Sequence, residues 1–171
     1  MPQVNPDLVE AIVRDAGGKI TGHTRLQKTA YLLLVAGFDA RPRFAYRQDG
    51  PYSEDITMSA KMGSLMGNLN EEEQRVDWGG ICSIYSLTCQ PESDGSPERR
   101  KFVQTAAGAA SVALELATSA VFLFREGCED PWAETERRKP EKVSDGRLDQ
   151  AKRLLAELRQ IEVPTPLPDI A

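Results

Sequence analysis

A change of hydrophobic period near residue 70 constrains the fold of this chain more than any other feature. Before that point, apolar residues recur at helical spacing in three segments, each closed by a glycine. Beyond it, residues 74–78 and 81–88 read as strands, and the Gly79-Gly80 pair between them is a hairpin signal. Residues 1–90 are therefore expected to form three helices followed by a β-hairpin.

The three helical segments have recognisable ends. The first covers residues 6–16, with Asn5 as the expected N-cap. The second covers residues 24–38 and is apolar over most of its surface, so it is expected to be buried. The third runs from Ser53 to about Met66. Its large apolar residues are spaced i, i+4, i+7 and i+11 and are Met58, Met62, Leu65 and Leu69.

A turn leads into the third helix. Residues 43–47 alternate as a half-buried strand does, whereas residues 19–23 read as a short polar connection. Gly50 allows a positive φ and Pro51 fixes φ at roughly −65°, which makes a tight corner. Ser53 can then cap the helix. The corner is expected to be scaffold that orients the third helix. It is not expected to be a binding site itself.

The second half of the chain is expected to be a helical extension. Residues 100–126 are Ala-rich and predict one long central helix, with Glu115 on its polar face. Residues 127–146 read as a polar connection, and a last helix ends at residue 161. The predicted organisation is a domain at 1–90, a loop at 91–99, an extension at 100–162 packed on that domain, and a flexible Pro-rich tail at 163–171.

The charge distribution disfavours phosphate as a target of the third helix. The chain has a net charge of −5, and residues 51–90 carry two basic and six acidic groups. Glu54 and Asp55 begin the helix and Lys61 is its only cation, so phosphates would be repelled. The hairpin adds Glu71, Glu72, Glu73 and Asp77. A basic protein surface is the expected partner, contacted by Tyr52, Glu54, Asp55 and Lys61.

The sequence shows neither a metal-binding module nor a catalytic motif. The three cysteines are expected to be reduced thiols in a cytoplasm, and their spacing with His23 fits no common zinc module. No metal or cofactor is expected. His23 is the single histidine and a weak candidate for acid–base chemistry. Four tyrosines can gather at one site as core residues: Tyr31, Tyr46, Tyr52 and Tyr85.

Three motifs carry a family resemblance. ITGHTRLQKTAYLL (20–33), FAYRQDGPYSEDI (44–56) and YSLT (85–88) resemble the LQK-x-x-YL run, the GPYS turn and the Y-x-LT strand of the YwgA-type winged-helix proteins of bacteria and archaea. The resemblance covers roughly residues 6–90. The same segment is more distantly similar to the Panacea antitoxin domain. The resemblance implies a winged helix, which the element order also suggests. The Panacea likeness implies that a toxin protein is bound and neutralised.

Three functions follow from these observations. The leading hypothesis is a mainly α, winged helix-turn-helix-like domain with a helical C-terminal extension that acts without catalysis. It would be a regulatory module, antitoxin-like or a phage-defence adapter, that binds a partner protein. The alternative is a dimeric DNA-binding transcriptional regulator, and an enzyme of unknown class is third. The regulator would use basic residues that otherwise form solvated, salt-bridging faces: Arg25, Lys28, Arg41, Arg43, Arg47, Arg137, Arg138 and Lys139.

Overall fold

Helices and two small antiparallel sheets make up the part of the chain that the structure describes, as the predicted α+β class requires. The computed structural model describes residues 3–39, 42–48, 50–75, 77, 79–88 and 95–170. The helices are α1 (Pro6–Asp15), α2 (His23–Val35), α3 (Glu54–Leu65), α4 (Pro97–Ala107), α5 (Ser111–Arg125), α6 (Pro131–Arg138) and α7 (Arg147–Arg159). The strands are β1 (Lys19–Thr21), β2 (Ala45–Arg47), β3 (Gly50–Tyr52), β4 (Leu69–Arg75) and β5 (Ile81–Leu87).

The first three helices lie where the sequence predicts them. The Ser53 side chain caps α3 by accepting a hydrogen bond from the Ile56 amide. Asn5 holds the predicted N-cap position of α1, but its side chain makes no capping hydrogen bond. Its backbone amide instead donates to the Ser59 hydroxyl at 2.8 Å, which joins the start of α1 to α3.

The larger sheet contains a strand that the sequence analysis missed. Strand β5 is central, with β1 on one side and β4 on the other. The predicted polar connection at 19–23 contains β1, because Ile20 faces the core opposite Tyr85 while its neighbours face solvent. Strand β4 starts at Leu69 and not at residue 74. Its glutamates are compatible with a strand because β4 is an edge strand with an exposed surface.

The smaller sheet is a hairpin of β2 and β3 that two buried lysines hold in place. Lys28 Nζ donates to the Pro51 carbonyl, and Lys139 Nζ donates to the Gln48 carbonyl, each at 2.7 Å. Gly50 has a φ of 98°, and a Cβ there would lie 2.7 Å from Ser119 Oγ. Only glycine therefore fits this corner, which sets the approach of the chain to α3.

The predicted long helix at 100–126 is wrong, because the chain bends by 114° between α4 and α5. A Cβ on Gly108 would lie 2.8 Å from the Gln104 carbonyl oxygen, so the glycine permits the tight end of α4. The Arg25 guanidinium donates to the carbonyls of Ala107 and Ala109 at 2.6 and 2.5 Å. These bonds satisfy carbonyls that a continuous helix would satisfy internally.

The predicted polar connection at 127–146 also contains helix α6. Asp130 caps it by accepting from the Ala133 amide, and Trp132 is its buried anchor. No apolar periodicity marks α6 in the sequence, because Trp132 is its only large buried apolar side chain and four of its eight residues are charged. Helix α7 lies as predicted, with its apolar stripe buried: Ala151, Leu154, Leu155 and Leu158.

The described part of the tail, residues 163–170, packs on the body, which differs from the expected flexible tail. Leu167 is 2% exposed, and the Thr165 amide donates to the Ala36 carbonyl at 2.9 Å. Trp132 Nε1 donates to the Ile170 carbonyl at 3.3 Å. The prolines keep the tail extended, and apolar side chains along it contact the core.

One hydrophobic core runs through both predicted halves of the chain. It joins residues of α1 and α2 with residues of α4, α5 and α7. Arg99 of α4 adds a polar link, since it pairs with Asp15 at 2.7 Å and with Asp39 at 3.0 Å. Among the described residues, no single helix is long and apolar enough to cross a membrane, and α4 and α5 meet that test only as a bent pair.

Candidate functional site

Helix α3 packs on the body with Ile56 and small residues, and its other large apolar residues lie on the opposite, exposed face. Ile56, Ser59, Ala60 and Gly63 form the inward face against α1 and β4. The outward stripe, defined by its four exposed side chains, is 37% exposed at Met58, 39% at Met62, 81% at Leu65 and 59% at Met66. The i, i+4, i+7 spacing usually marks a buried stripe. Here that spacing describes an exposed one, and Leu69 alone of the four spaced residues is buried.

Acidic side chains lie on α3 and on the strand that packs beside it. Glu54 begins α3, and its carboxylate is half exposed and pairs with Arg47 at 3.3 Å. Strand β4 packs beside α3 and presents three consecutive exposed glutamates, Glu71 to Glu73. Lys61 is exposed on α3 itself. The described part of this face is therefore apolar in the middle and mainly negative at its edge.

Two residues of the LQK motif hold the GPYS corner. The side chain of Gln27 accepts from the Ser53 amide at 2.8 Å and donates to the Ser53 carbonyl at 2.9 Å. Lys28, the next residue of α2, donates to the Pro51 carbonyl. Gln27, Lys28 and Ser53 are all at most 2% exposed. The two motifs of the resemblance are therefore structural partners that fix where α3 begins.

A polar cluster joins the start of α2 to α3 and to β5. His23 Nδ1 shares a hydrogen bond of 2.8 Å with the Tyr85 hydroxyl, and its Nε2 lies 3.3 Å from Thr57 Oγ1. The Tyr52 hydroxyl lies 2.7 Å from the same Thr57 oxygen. Sequence reasoning missed the role of Thr57, because a threonine inside a helix carries no distinctive signal.

Burial sets the protonation states of this cluster. It lowers the pKa of His23 below its ordinary value, so the ring is neutral at pH 7. Smaller effects on that pKa come from Glu71 and Glu54, which raise it, and from Lys28 and Lys61, which lower it. Burial, with Glu71 beside it, raises the pKa of the Tyr85 hydroxyl above its usual range. His23 and Tyr85 are thus neutral hydrogen-bonding groups in the folded protein at pH 7.

The four tyrosines form two groups. Tyr52 and Tyr85 each lie 6.2 Å from the His23 ring, measured between centroids. Tyr31 and Tyr46 both contact Phe122 of α5 instead. The idea that all four gather at one site is therefore wrong.

The residues predicted to contact a partner differ in their accessibility. Glu54 and Lys61 are exposed, and Tyr52 is half-buried. Asp55 is 6% exposed, and its carboxylate accepts from the backbone amides of Gln3 at 2.7 Å and Arg43 at 3.0 Å. Asp55 therefore holds the segment before α1 and the segment after α2, and it does not face solvent.

Several of the predicted phosphate-binding residues act within the fold. Arg25 clamps the α4–α5 bend, and Lys28 and Lys139 support the small hairpin. Arg137 and Arg138 both bind Glu134, and their hydrogen bonds lower the pKa of that carboxyl to about 2. Arg43 and Arg47 are exposed. Arg41 lies outside the described residues.

Glu115 is buried, whereas the sequence analysis placed it on a polar helix face. It is 5% exposed, and Lys142 Nζ lies 2.8 Å from its carboxylate. The pair joins α5 to the 3-10 turn at Pro140–Lys142. Among the described residues, no group of three or more His, Cys, Asp or Glu side chains could hold a metal ion.

The chain is similar to a bacterial protein over most of its length. It is 27% identical over 161 residues to "Uncharacterized protein YwgA" of Bacillus subtilis (strain 168), and the alignment covers 84% of this chain and 90% of that protein. No family model matches the chain. The similarity supports a YwgA-like family and extends beyond residues 6–90 into the second half.

Proposed function

We propose that this chain is a non-catalytic regulatory module that binds a partner protein through α3 and the neighbouring β4–β5 hairpin. The observation that carries the proposal is the outward stripe of Met58, Met62, Leu65 and Met66. Contiguous exposed apolar patches with a polar rim mark protein interfaces, and methionine adapts to varied partners. Glu54, Lys61 and Tyr52 form part of the same face, and the buried Asp55 does not.

The order of elements in the described part of residues 1–90 is the one expected of a winged helix, and it supports the choice of this face. The chain runs helix, strand, helix, short hairpin, helix and hairpin, and β1 pairs with β5 in the order β1-β5-β4. In a winged helix the third helix is the recognition element, and we propose that role for α3. In this chain that helix offers methionine and leucine to a ligand.

The regulatory setting comes from the likeness to the Panacea antitoxin domain. An antitoxin or a phage-defence adapter acts by occupying its partner and needs no catalytic group. Such a role agrees with a polar cluster around His23 that joins structural elements. It also agrees with an apolar surface that is available before the partner binds.

Capture from the native host tests this proposal. The wild-type chain and the double variant Met62→Ser, Leu65→Ser are each used as bait, with nuclease added to remove nucleic acid. We expect a protein that is retained by the wild type and lost by the double variant. Phe124→Ser is the matched control, because Phe124 is 43% exposed on α5, outside this face. Equal retention by all three baits, or recovery of the bait alone, contradicts the proposal.

DNA binding is the second candidate, because the β1-β5-β4 order and the exposed Arg43 and Arg47 fit a helix-turn-helix regulator. It would use those arginines rather than the stripe on α3. DNA binding that falls steeply with salt, and that is lost in Arg43→Glu, Arg47→Glu, would support it. No DNA binding even at low salt would exclude it.

A further inference from the structure

We propose that the partner presents a positively charged amphipathic helix that lies along the outward stripe of α3, with its cations toward β4. This inference rests on the proposed function and specifies the partner of the same face. It follows from the spacing of the apolar residues, the sign of the surrounding charge and the composition of the β4 edge.

The apolar residues have the spacing that helix pairing requires. Met58, Met62 and Leu65 lie at i, i+4 and i+7 on one side of α3. With a rise of about 1.5 Å per residue they span roughly 10 Å, which is two turns of a partner helix. Helices that dock on such a surface use anchors at the same i, i+4 and i+7 spacing. Leu65 protrudes most, at 81% exposure, and is the main anchor.

The charges around the stripe select a cationic partner. Glu71, Glu72 and Glu73 are exposed on β4, and Glu54 is exposed at the start of α3. The described cations near these groups are Lys61 and Arg75, together with Arg47, which pairs with Glu54. Lysine or arginine along one side of the partner helix would meet Glu71 and Glu73, which share one face of β4, whereas Glu72 points to the other face. Charge complementarity of this kind orients a partner and speeds its association.

The same charges disfavour two other occupants. A second copy would bring Glu71 to Glu73 of both chains toward one interface, where like charges repel. An extended peptide could add to β4, which is an edge strand. Three consecutive charged side chains on an edge strand, however, oppose strand addition. A cationic helix is the occupant that satisfies both the stripe and its rim.

Three synthetic peptides of about 18 residues, or five helical turns, test the inference by fluorescence anisotropy. The first carries leucines at helical spacing with lysines on its flanks. The second replaces each lysine by glutamate, and the third has the composition of the first in a scrambled order. We expect the first to bind and to become helical by circular dichroism. Its affinity should exceed that of the other two by at least about tenfold.

Protein variants locate the binding of the first peptide. Met62→Ser, Leu65→Ser and, separately, Glu71→Gln, Glu72→Gln, Glu73→Gln should each weaken it by at least about tenfold. The charge-matched control, Glu126→Gln, Glu129→Gln, Glu136→Gln, removes three exposed carboxylates outside this face and should leave the affinity unchanged. Thermal unfolding confirms that each variant is folded.

The failures of the two proposals are distinguishable. If the triple glutamine variant at Glu126, Glu129 and Glu136 weakens the binding of the first peptide as much as the triple variant on β4 does, the attraction is non-specific. That result overturns the inference. Absence of binding, or binding without helix formation, also overturns it. If the host partner is still lost in Met62→Ser, Leu65→Ser, the protein-binding face stands and only the cationic helix is wrong.

Discussion

At the scale of single residues, buried polar contacts explain why the LQK and GPYS motifs occur together. Gln27 forms two hydrogen bonds with the backbone of Ser53, at the point where the chain enters α3. A buried backbone donor or acceptor that loses its partner is costly. Gln27→Ala should therefore lower the free energy of unfolding by about 1–3 kcal/mol, measured by urea denaturation. Gln160→Ala, at an exposed glutamine, should change it by less than about 0.5 kcal/mol. Equal effects of the two changes would mean that Gln27 does not fix the corner.

His23 makes stability depend on pH at the same scale. Because burial lowers its folded-state pKa, the unfolded chain binds a proton at higher pH than the folded protein does. Above roughly pH 6.5, His23 does not make the free energy of unfolding depend on pH. Below that pH, the free energy of unfolding decreases as pH falls, because the unfolded chain binds the proton more tightly. Unfolding by urea at pH 7.5 and pH 5.5 should show this loss in the wild type, and His23→Gln should reduce it. An identical loss in the variant would assign the pH dependence to other groups.

At the scale of elements, the Arg25 side chain stabilises the α4–α5 bend. Arg25 donates to the carbonyl of Ala107 at the end of α4, to the carbonyl of Ala109 in the bend and to the Ser111 hydroxyl at the start of α5. Hydrogen bonds from a charged donor are the stronger ones, so Arg25→Gln should cost about 1–2 kcal/mol in chemical unfolding. Arg43→Gln, at an exposed arginine, is the control and should cost little. A smaller effect for Arg25→Gln than for the control would leave the bend without this explanation.

The elements also show which sequence signals are reliable. Helices α1, α2, α3 and α7 were predicted because periodicity and end signals agreed in each. The α4–α5 bend was missed because Gly108 in an Ala-rich run looks compatible with a helix, and the Arg25 bonds that favour the break come from distant sequence. On α3, periodicity alone does not show which face is buried. Leu65 is exposed because Ile56, together with small residues such as Gly63, forms the packed face.

For the whole molecule, the tail and the core form one folded unit. Leu167 is buried at 2% exposure, although its segment contains three prolines and was expected to be flexible. Leu167→Ala should lower the free energy of unfolding by about 2–3 kcal/mol. Leu65→Ala, at 81% exposure, should change it by less than about 0.5 kcal/mol. Both are measured by chemical denaturation. Similar costs at the two positions would contradict either the packed tail or the exposed stripe.

The contrast between Leu65 and Leu167 separates stability from function, because the exposed leucine is expected to matter only when a partner is present. The most direct test is therefore the affinity of the captured partner for the wild-type chain, for Met62→Ser, Leu65→Ser and for Phe124→Ser, measured by calorimetry on folded proteins. We expect the double variant to bind at least about tenfold more weakly and Phe124→Ser to bind as the wild type does. Equal affinities for all three would show that α3 does not form the interface.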